Sequence, residues 1–285
     1  MGNPLLRSRA VMPLPEAVRL LILGTGFTGS IVARDALARG IPVVASTRDP
    51  ERARALATRG LTPLCLPDLT AEPLPLDERT SVLVTFPPDG RTDRALAPQL
   101  ARARSVAYVS SSVVYGGARG HVDEQTPVRG DTPRAIARID AESVYRDLGA
   151  TIVRAPAIYG PGRGLHLRLA SGALRLAGEG TNVISRVHVE DLASALLELL
   201  VRGTRDALFV AGDRLPAPHG EVIRFLCETM NLPMPEHAPA DQADETLRNE
   251  RALDPSLLWS TLGREPRFPT YREGFLHCLA VGRPR

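Results

Sequence analysis

Three glycines, Gly24, Gly26 and Gly29, have the G-x-G-x-x-G spacing of a phosphate-binding loop. They follow the apolar run 20–23 and precede an alanine-rich stretch, 31–38. A strand, a tight turn and a helix in that order bring a pyrophosphate against backbone N–H groups at a helix N-terminus. Gly24 permits the turn, Gly26 leaves room for the phosphates, and Gly29 lets the helix pack on the strand. The pattern predicts a dinucleotide site; the alternative is an ordinary glycine-rich turn.

We expect Phe27 and Thr28, inside this loop, to contact the dinucleotide as well. The choice between NAD and NADP can be predicted from the residues at the end of the second predicted strand. An acidic residue there would accept a hydrogen bond from the ribose of NAD. Thr47 and Arg48 occupy that region, and a guanidinium suits the 2′-phosphate of NADP. These residues predict NADP(H) in preference to NAD(H). The alternative is that Arg48 is a solvated loop residue and that Asp49 selects the cofactor.

The elements that must position this loop can be predicted from short apolar runs that alternate with helix-like segments. These runs are 20–23, 43–46, 64–66, 82–86, 106–110, 151–153 and 208–210. Helix-like segments include 51–58, 94–103 and a leucine-spaced stretch, 192–199. The alternation predicts an α/β fold with a Rossmann-type, doubly wound parallel sheet.

The same pass along the chain suggests how it is divided. We expect residues 1–18 to be a disordered leader, with Met12 as an alternative start, and residues 19–155 to form the dinucleotide-binding Rossmann domain. Residues 156–285 are predicted to form mainly a small, discontinuous substrate lobe, rich in prolines. A helix and a strand at about 189–211 are expected to return to the Rossmann core.

Composition limits the classes of function. The chain has 285 residues, a formal net charge of +3 and no block of basic residues, which argues against a nucleic-acid-binding protein. No apolar run reaches transmembrane length, so no membrane association is expected. The three cysteines form no C-x-x-C pair, and no histidine has metal-ligand spacing. We therefore predict no metal and a cytoplasmic location.

Motifs along most of the chain resemble, in the same order, those of the extended short-chain dehydrogenase/reductase superfamily, its NAD-dependent epimerase/dehydratase group, and more narrowly its atypical members. The glycine loop has the G-x-G-F-x-G form of the atypical branch. The other matching segments are Asp68-Leu69, Ser110-Ser111-Ser112-Val113-Val114-Tyr115-Gly116, Asp123-Glu124-Gln125-Thr126-Pro127, Arg154 with Tyr159-Gly160-Pro161-Gly162, Val187-His188-Val189-Glu190-Asp191, and Leu262-Gly263 with Tyr271-Arg272-Glu273-Gly274. The resemblance implies a nicotinamide cofactor, a small-molecule substrate and a homodimer. It also implies that Asp68 and Leu69 lie near the adenine and that Ser111 is the catalytic serine.

The sequence departs from the family pattern at the residues that transfer the proton. The family uses Tyr-x-x-x-Lys on the helix after the serine strand, where the tyrosine transfers the proton and the lysine lowers its pKa. Counting back from Glu142 places Arg134 at the tyrosine position and Arg138 at the lysine position. All 35 Lys or Arg residues are arginine, so no other alignment restores the lysine. Arginine does not release its proton near neutral pH, but Arg138 could still hold ribose hydroxyls or an anion.

Ser111 and Arg138 remain the candidates for catalysis, with Tyr115 as a substitute for the missing tyrosine; Tyr115 also fits a packing role in its turn. The predicted substrate contacts are Ser112, Arg134 and Arg163. His188 is assigned a structural role and Asp191 the role of a helix cap.

Two classes of function are compatible with this site. The first is an NADP-dependent oxidoreductase or epimerase (an isomerase) that acts on a small polar substrate, either sugar-like or anionic. The second is a catalytically impaired NADP(H)-binding redox sensor or regulatory protein, because the Tyr-Lys pair is absent. We favour the enzyme, since the serine strand and the substrate-side motifs are retained.

Overall fold

The computed structural model of the chain describes residues 18–238 and 250–282, except for the side chain of Ala177. Residues 1–17 of the predicted leader, including Met12, therefore lie outside the described residues. The described strands are β1 (Arg19–Leu23), β2 (Val43–Thr47), β3 (Thr62–Cys65), β4 (Thr80–Val84), β5 (Ser105–Ser111), β6 (Gly120–Val122), β7 (Thr151–Ala155), β8 (Ala157–Tyr159), β9 (Leu176–Ala177), β10 (Val183–Ile184), β11 (Arg186–His188), β12 (Leu208–Val210), β13 (Ala217–Pro218), β14 (His237–Ala238) and β15 (Arg251–Leu253).

The helices are spread along the whole described chain. They are α1 (Phe27–Ala38), α2 (Pro50–Ala57), α3 (Thr92–Leu100), α4 (Pro133–Asp147), α5 (Leu165–Ala170), α6 (Val189–Arg202), α7 (His219–Met230), α8 (Ser256–Leu262) and α9 (Tyr271–Val281), together with a 3-10 turn at Ser112–Tyr115. No helix of the described ranges is both long and apolar enough to span a membrane.

Seven parallel strands form the main sheet, in the order β3-β2-β1-β4-β5-β7-β12. All seven lie where apolar runs predict strands. The strand order reverses between β1 and β4, and such a switch point is where ligands bind at the carboxyl edge of an open α/β sheet. The predicted fold class, a Rossmann-type doubly wound sheet, is confirmed.

Apolar side chains cover both faces of this sheet. One cluster joins α1, α6 and α8 to the sheet, and another joins α3 and α4 to it, with Tyr108 stacked on Tyr145 at 4.3 Å between ring centroids. Helix α6 packs on α1, and β12 pairs with β7, so the segment 186–210 contributes to the main sheet after an excursion. The division into domains at residue 155 stays a prediction.

A smaller assembly consists mainly of residues that follow β7, together with β6, which precedes it. Its four-stranded sheet has the order β13-β10-β15-β6, and β8 pairs in parallel with β11. Helices α7 and α9 share an apolar cluster with Tyr159 and Leu169. This assembly places β11 and α5 over the carboxyl edge of the main sheet, where they help to line the site described below.

Candidate functional site

A cavity of about 720 Å³ opens at the carboxyl edge of the main sheet. One part of its wall is the glycine loop, and another is the end of β5 with the 3-10 turn that follows. The rest comes from α4 and from segments around β8, α5 and β11. Predicted site residues that line it are Gly26, Phe27, Thr28, Ser111, Ser112, Arg134, Arg138 and Arg163. The fold thus brings together residues that are separated by more than a hundred positions.

The glycine loop has the geometry that phosphate binding requires. Gly24 has φ +96°, and a Cβ there would lie 2.8 Å from the backbone nitrogen of Phe86. A Cβ on Gly29 would lie 2.6 Å from the carbonyl oxygen of Gly24. A Cβ on Gly26 would meet no atom within 4 Å, so the space in front of this residue is open.

Helix α1 begins directly after that open space. Its N-cap is Gly26, its first turn carries no acidic residue, and no side chain of the described chain caps it. The first N–H groups and the positive end of the helix dipole therefore face the cavity without a protein anion. These residues fit the pyrophosphate of a dinucleotide.

The end of β2 presents a cation and no free carboxylate. Arg48 is exposed, and within the described ranges its side chain makes no ion pair or hydrogen bond. Asp49 instead caps α2, because its carboxylate accepts hydrogen bonds from the backbone N–H groups of Glu51 at 2.9 Å and Arg52 at 3.4 Å. Thr47 accepts one from the Asp49 N–H at 3.2 Å. Asp49 is therefore engaged in capping α2, and the choice between Arg48 and Asp49 as the residue that selects the cofactor stays a prediction.

Arg52 was missed by the sequence reasoning. It lies in the first turn of α2, and its guanidinium donates a hydrogen bond to the Thr25 carbonyl oxygen of the glycine loop. A second cation therefore lies between α2 and the loop, on the side of Arg48. The signal available in the sequence was its position in the first turn of the helix that follows β2.

Asp68 and Leu69 lie outside the cavity lining. The Asp68 carboxylate accepts hydrogen bonds from the backbone N–H and the hydroxyl of Thr70, which lower its pKa, and Arg91 lies 3.6 Å away. Leu69 packs at the edge of the core cluster under α3. Their proximity to an adenine stays a prediction.

Ser111 is the last residue of β5 and lies in the cavity wall. Its Oγ accepts a hydrogen bond from the backbone N–H of Val113 at 3.3 Å, at the start of the 3-10 turn. The oxygen is thus used as an acceptor, and the hydroxyl proton can be donated to a ligand. Ser112 lies beside it in the same wall.

Helix α4 carries the two arginines that replace the family's Tyr-Lys pair. Thr132 caps the helix and Pro133 begins it, so Arg134 lies in the first turn and Arg138 one turn later. Arg138 Nη1 donates to the Tyr108 hydroxyl at 2.8 Å and to the Val109 carbonyl at 3.1 Å. These bonds fix the guanidinium at the sheet edge and leave its remaining N–H donors for a ligand.

Tyr115 does not face the cavity. It is completely buried, its hydroxyl donates to the Asp123 carbonyl at 2.7 Å and accepts from Arg154 Nη1 at 3.2 Å, and burial raises its pKa despite that arginine. The placement favours the packing role over the role of proton donor.

Behind the serine strand lies a buried ion pair that motif reading did not anticipate. Arg154 on β7 and Glu142 on α4 contact each other at 2.7 Å and 3.0 Å, and each side chain is 3% exposed. Glu142 also accepts a 2.6 Å hydrogen bond from the Ser110 hydroxyl. Burial alone would lower the pKa of Arg154, but the hydrogen bonds and charge of Glu142 raise it. The pair ties α4 to the strand end that carries Ser111.

Arg163 is exposed at the cavity rim, with its guanidinium carbon 5.4 Å from the centroid of the Phe27 ring. This contact joins the glycine loop to the segment after β8 on two sides of the cavity. Tyr159 also lines the cavity, but its hydroxyl faces Gly274 of α9 and burial raises its pKa. It is therefore not a proton donor near neutral pH.

The prediction that Asp191 caps a helix was wrong. The cap of α6 is His188, whose Nδ1 accepts from the Glu190 N–H at 3.3 Å. Asp191 lies inside the first turn and accepts from the backbone N–H groups of Arg267 at 2.6 Å and Phe268 at 3.0 Å. Such a contact between distant segments leaves no local sequence signal. His188 is fully buried, which lowers its pKa to about 3 and agrees with a structural role.

The charged residues of the cavity wall are all arginines. Two of them, Arg168 on α5 and Arg186 on β11, were not predicted from the sequence. No aspartate, glutamate, histidine or cysteine of the described chain lines the cavity. The described residues also contain no group of three or more His, Cys, Asp or Glu that could hold a metal ion. The site is therefore suited to binding anions, and it holds few groups that can transfer protons.

Comparison with known proteins gives a family match for part of the chain and a shared fold. Residues 94–212 match the family described as NAD dependent epimerase/dehydratase. A 3-diazoavenalumate denitrifying reductase of a Streptomyces species is 27% identical over an alignment of 199 residues that covers 64% of this chain and 65% of the relative. The alignment thus spans just under two thirds of that curated protein.

Solved structures resemble the chain over nearly its whole length. A functionally unknown conserved protein from Silicibacter pomeroyi has a TM-score of 0.84 and 29% identity, covering 94% of this chain and 100% of its own. MoeE5 in complex with UDP-glucose and NAD has a TM-score of 0.77 and 23% identity, covering 92% and 97%. The human epimerase family protein SDR39U1, with NADPH, has a TM-score of 0.76 and 18% identity, covering 93% and 100%.

Of these neighbours, MoeE5 contains NAD and the human protein contains NADPH. The resemblance that the motifs predict is confirmed for residues 94–212, which match the NAD dependent epimerase/dehydratase family, and the solved structures share the fold over more than nine tenths of the chain.

Proposed function

We propose that the protein is an NADP-dependent oxidoreductase or epimerase that acts on a small polar, anionic substrate. One observation supports it most strongly. The glycine loop, Ser111 and five arginines share a single cavity, and no carboxylate of the described chain lines it. A purely structural relic of the family fold would not need a serine hydroxyl and cations directed at one space.

The cofactor would be held by the chain's own residues at both of its ends. The open space at Gly26 and the N-terminus of α1 take the pyrophosphate, and Arg48 takes the 2′-phosphate. Arg138 holds hydroxyls of the nicotinamide ribose through the donors that Tyr108 and Val109 leave unused. When bound, a nicotinamide nucleotide supplies or accepts a hydride.

Ser111 would orient the substrate, because its hydroxyl proton can be donated to a carbonyl or hydroxyl oxygen. Arg134 and Arg163 would bind an anionic group at the rim, where both are exposed. Neither can act as a general acid at neutral pH. The arginines would therefore bind and orient the substrate, and Ser111 would supply the hydroxyl at the predicted catalytic position.

The cofactor assignment can be tested by calorimetric titration of NADPH and NADH into the wild type and Arg48→Ala. We expect Arg48→Ala to weaken NADPH binding roughly 10- to 100-fold, the value of one charge-assisted contact, and to leave NADH binding nearly unchanged. Arg59→Ala, another exposed arginine near α2, is the matched control. Equal NADPH affinity in Arg48→Ala and the wild type would remove the assignment. Gly26→Asp should abolish binding of both nucleotides.

Turnover is tested with NADPH and a panel of aldehydes, ketones and nucleotide sugars. A protein that binds NADPH and turns over none of them would instead support the sensor. The sensor is favoured by one observation, the replacement of the Tyr-Lys pair by Arg134 and Arg138. In that case NADPH should change the oligomeric state or the binding of a partner.

A further inference from the structure

Arg186 is a buried cation in the wall of the cavity. It is 4% exposed, lies on β11, and belongs to no motif that the proposed function uses. Its Nη1 donates to the Ile184 carbonyl at 2.7 Å, and its Nη2 contacts His219 Nδ1 at 3.2 Å. These two bonds hold the guanidinium in place and leave three of its five N–H donors available.

Among the described residues, Arg186 has no carboxylate partner in an ion pair. An arginine can only donate, so His219 Nδ1 must accept, and His219 is then neutral. Burial and the charge of Arg186 together lower the pKa of His219 to about 4, which agrees with that state. No carboxylate of the described chain lies within 4 Å of the Arg186 guanidinium.

Asp213 is the acidic residue whose charge most affects Arg186, but its own carboxyl is buried, and burial raises its pKa to about 7. Burial lowers the pKa of Arg186 to about 10, so the guanidinium remains charged at neutral pH. A buried charge without a paired ion is costly, and binding an anion would remove most of that cost.

The surroundings of Arg186 limit the size of that anion. The cavity of about 720 Å³ lies in the range that holds one drug-sized ligand, and it must also admit the nicotinamide end of the cofactor. Its wall near α5 and β11 contains Leu165, Ile184 and Phe275, which are apolar. The remaining space suits a small molecule with an apolar body better than a nucleotide diphosphate.

We propose that Arg186 binds the carboxylate of a small substrate whose apolar body packs on Ile184 and Phe275, and that it determines specificity for carboxylic acids. This inference rests on the proposed function, since it assigns the substrate class of the same site. The carboxylate forms hydrogen bonds with the free N–H donors of Arg186 and leaves the reacting end of the molecule near Ser111.

The test is calorimetric titration of the NADPH-saturated protein with benzoate, with its neutral analogue benzamide, and with UDP as a diphosphate probe. We expect benzoate to bind at least 10-fold more tightly than benzamide. Arg186→Gln should weaken benzoate binding roughly 10- to 100-fold, as expected for the loss of a charge-assisted contact. Arg224→Gln removes an exposed cation of α7 that lies outside the cavity lining and is the matched control, with an expected loss below about threefold.

Several results would overturn the proposal. They are no binding of benzoate to the wild type, equal binding of benzoate and benzamide, unchanged benzoate affinity in Arg186→Gln, or an equal loss in Arg224→Gln. Tight binding of UDP with no binding of benzoate would replace the carboxylate by a diphosphate. Should Arg186→Gln not fold by circular dichroism, the benzoate and benzamide affinities of the wild type decide the question. An NADPH titration precedes these experiments; if NADPH does not bind, the proposed function fails, and the benzoate titrations on the cofactor-free protein still test Arg186.

Discussion

Removing one member of the buried Glu142–Arg154 pair should destabilise the protein far more than removing both. In Glu142→Leu the Arg154 guanidinium, 3% exposed, would keep only the Tyr115 hydroxyl as a partner. An uncompensated buried charge costs about 3–5 kcal/mol in unfolding free energy. Arg154→Met leaves the Glu142 carboxylate with the Ser110 hydroxyl and a distant Arg146, so we expect a loss in the same range.

The double variant, Glu142→Leu with Arg154→Met, replaces the ion pair by apolar side chains at two positions that are already buried. Such replacements are often neutral or stabilising. The double variant should therefore be more stable than either single variant, and the coupling energy of the cycle should be about 3 kcal/mol or more. Arg146→Gln is the matched control: Arg146 is 62% exposed and lies 3.7 Å from Glu142, so its loss should cost less than about 1 kcal/mol.

Urea unfolding can be followed through Trp259, which is the only tryptophan of the chain and is buried in α8. Circular dichroism at 222 nm should give the same midpoints if the transition is two-state. A coupling energy below about 0.5 kcal/mol, with single-variant losses that simply add, would refute the reasoning. It would mean that water or a rearranged side chain compensates the remaining charge.

Three further predictions concern single residues. Asp213→Asn should be more stable than the wild type by an amount that grows from pH 4 to pH 7. Burial raises the pKa of the Asp213 carboxyl to about 7 in the folded protein, so it keeps a proton that the carboxyl of the unfolded chain, with a pKa of 3.8, loses. A difference of roughly three pKa units, at 1.36 kcal/mol each, gives about 4 kcal/mol of unfolding free energy at pH 7. Urea midpoints across this range check it, and a constant difference would contradict it. Gly29→Ala should lose about 1–3 kcal/mol of unfolding free energy, because its Cβ would lie 2.6 Å from the Gly24 carbonyl oxygen. Gly26→Ala should lose less than about 1 kcal/mol and still weaken NADPH binding, because its Cβ would enter the open space in front of the loop. Equal stability losses in the two variants would refute this contrast. Tyr115→Phe removes the hydrogen bonds of the hydroxyl with Asp123 and Arg154, so it should lower the unfolding free energy by about 1–3 kcal/mol and leave NADPH affinity within about twofold. A large loss of NADPH affinity would instead indicate that the hydroxyl takes part in the site.

The sheet and its phosphate loop could be predicted because their signals are local. Each main-sheet strand is a short apolar run, and the roles of Gly24 and Gly29 depend on neighbours close in the sequence or on the adjacent strand. Ser111 was found through its position at the end of such a run. For these residues, periodicity and turn chemistry were sufficient.

The charge arrangement could not be predicted in the same way. Arg186 looks like any charged residue of a short polar segment, and its burial depends on the pairing of β11 with β8 and on His219 of α7. Asp191 was given a local role because its true partners, the backbone of Arg267 and Phe268, lie 76 and 77 residues further on. Contacts of this kind follow from tertiary packing, which a single sequence does not display.

The replacement of the Tyr-Lys pair by arginines changes what the site can do with protons. A lysine can share a site with a tyrosine and lower its pKa, whereas Arg138 is directed at Tyr108, whose pKa burial still raises to about 12. No cavity-lining residue within the described ranges ordinarily titrates between pH 5 and pH 8, since the wall has neither histidine nor carboxylate. Proton transfer in the proposed reaction would therefore depend on water or on the substrate itself, while the arginines fix an anion in position. For that reason, the identity of the anion held by Arg186 is the property of this site that bears most directly on its chemistry.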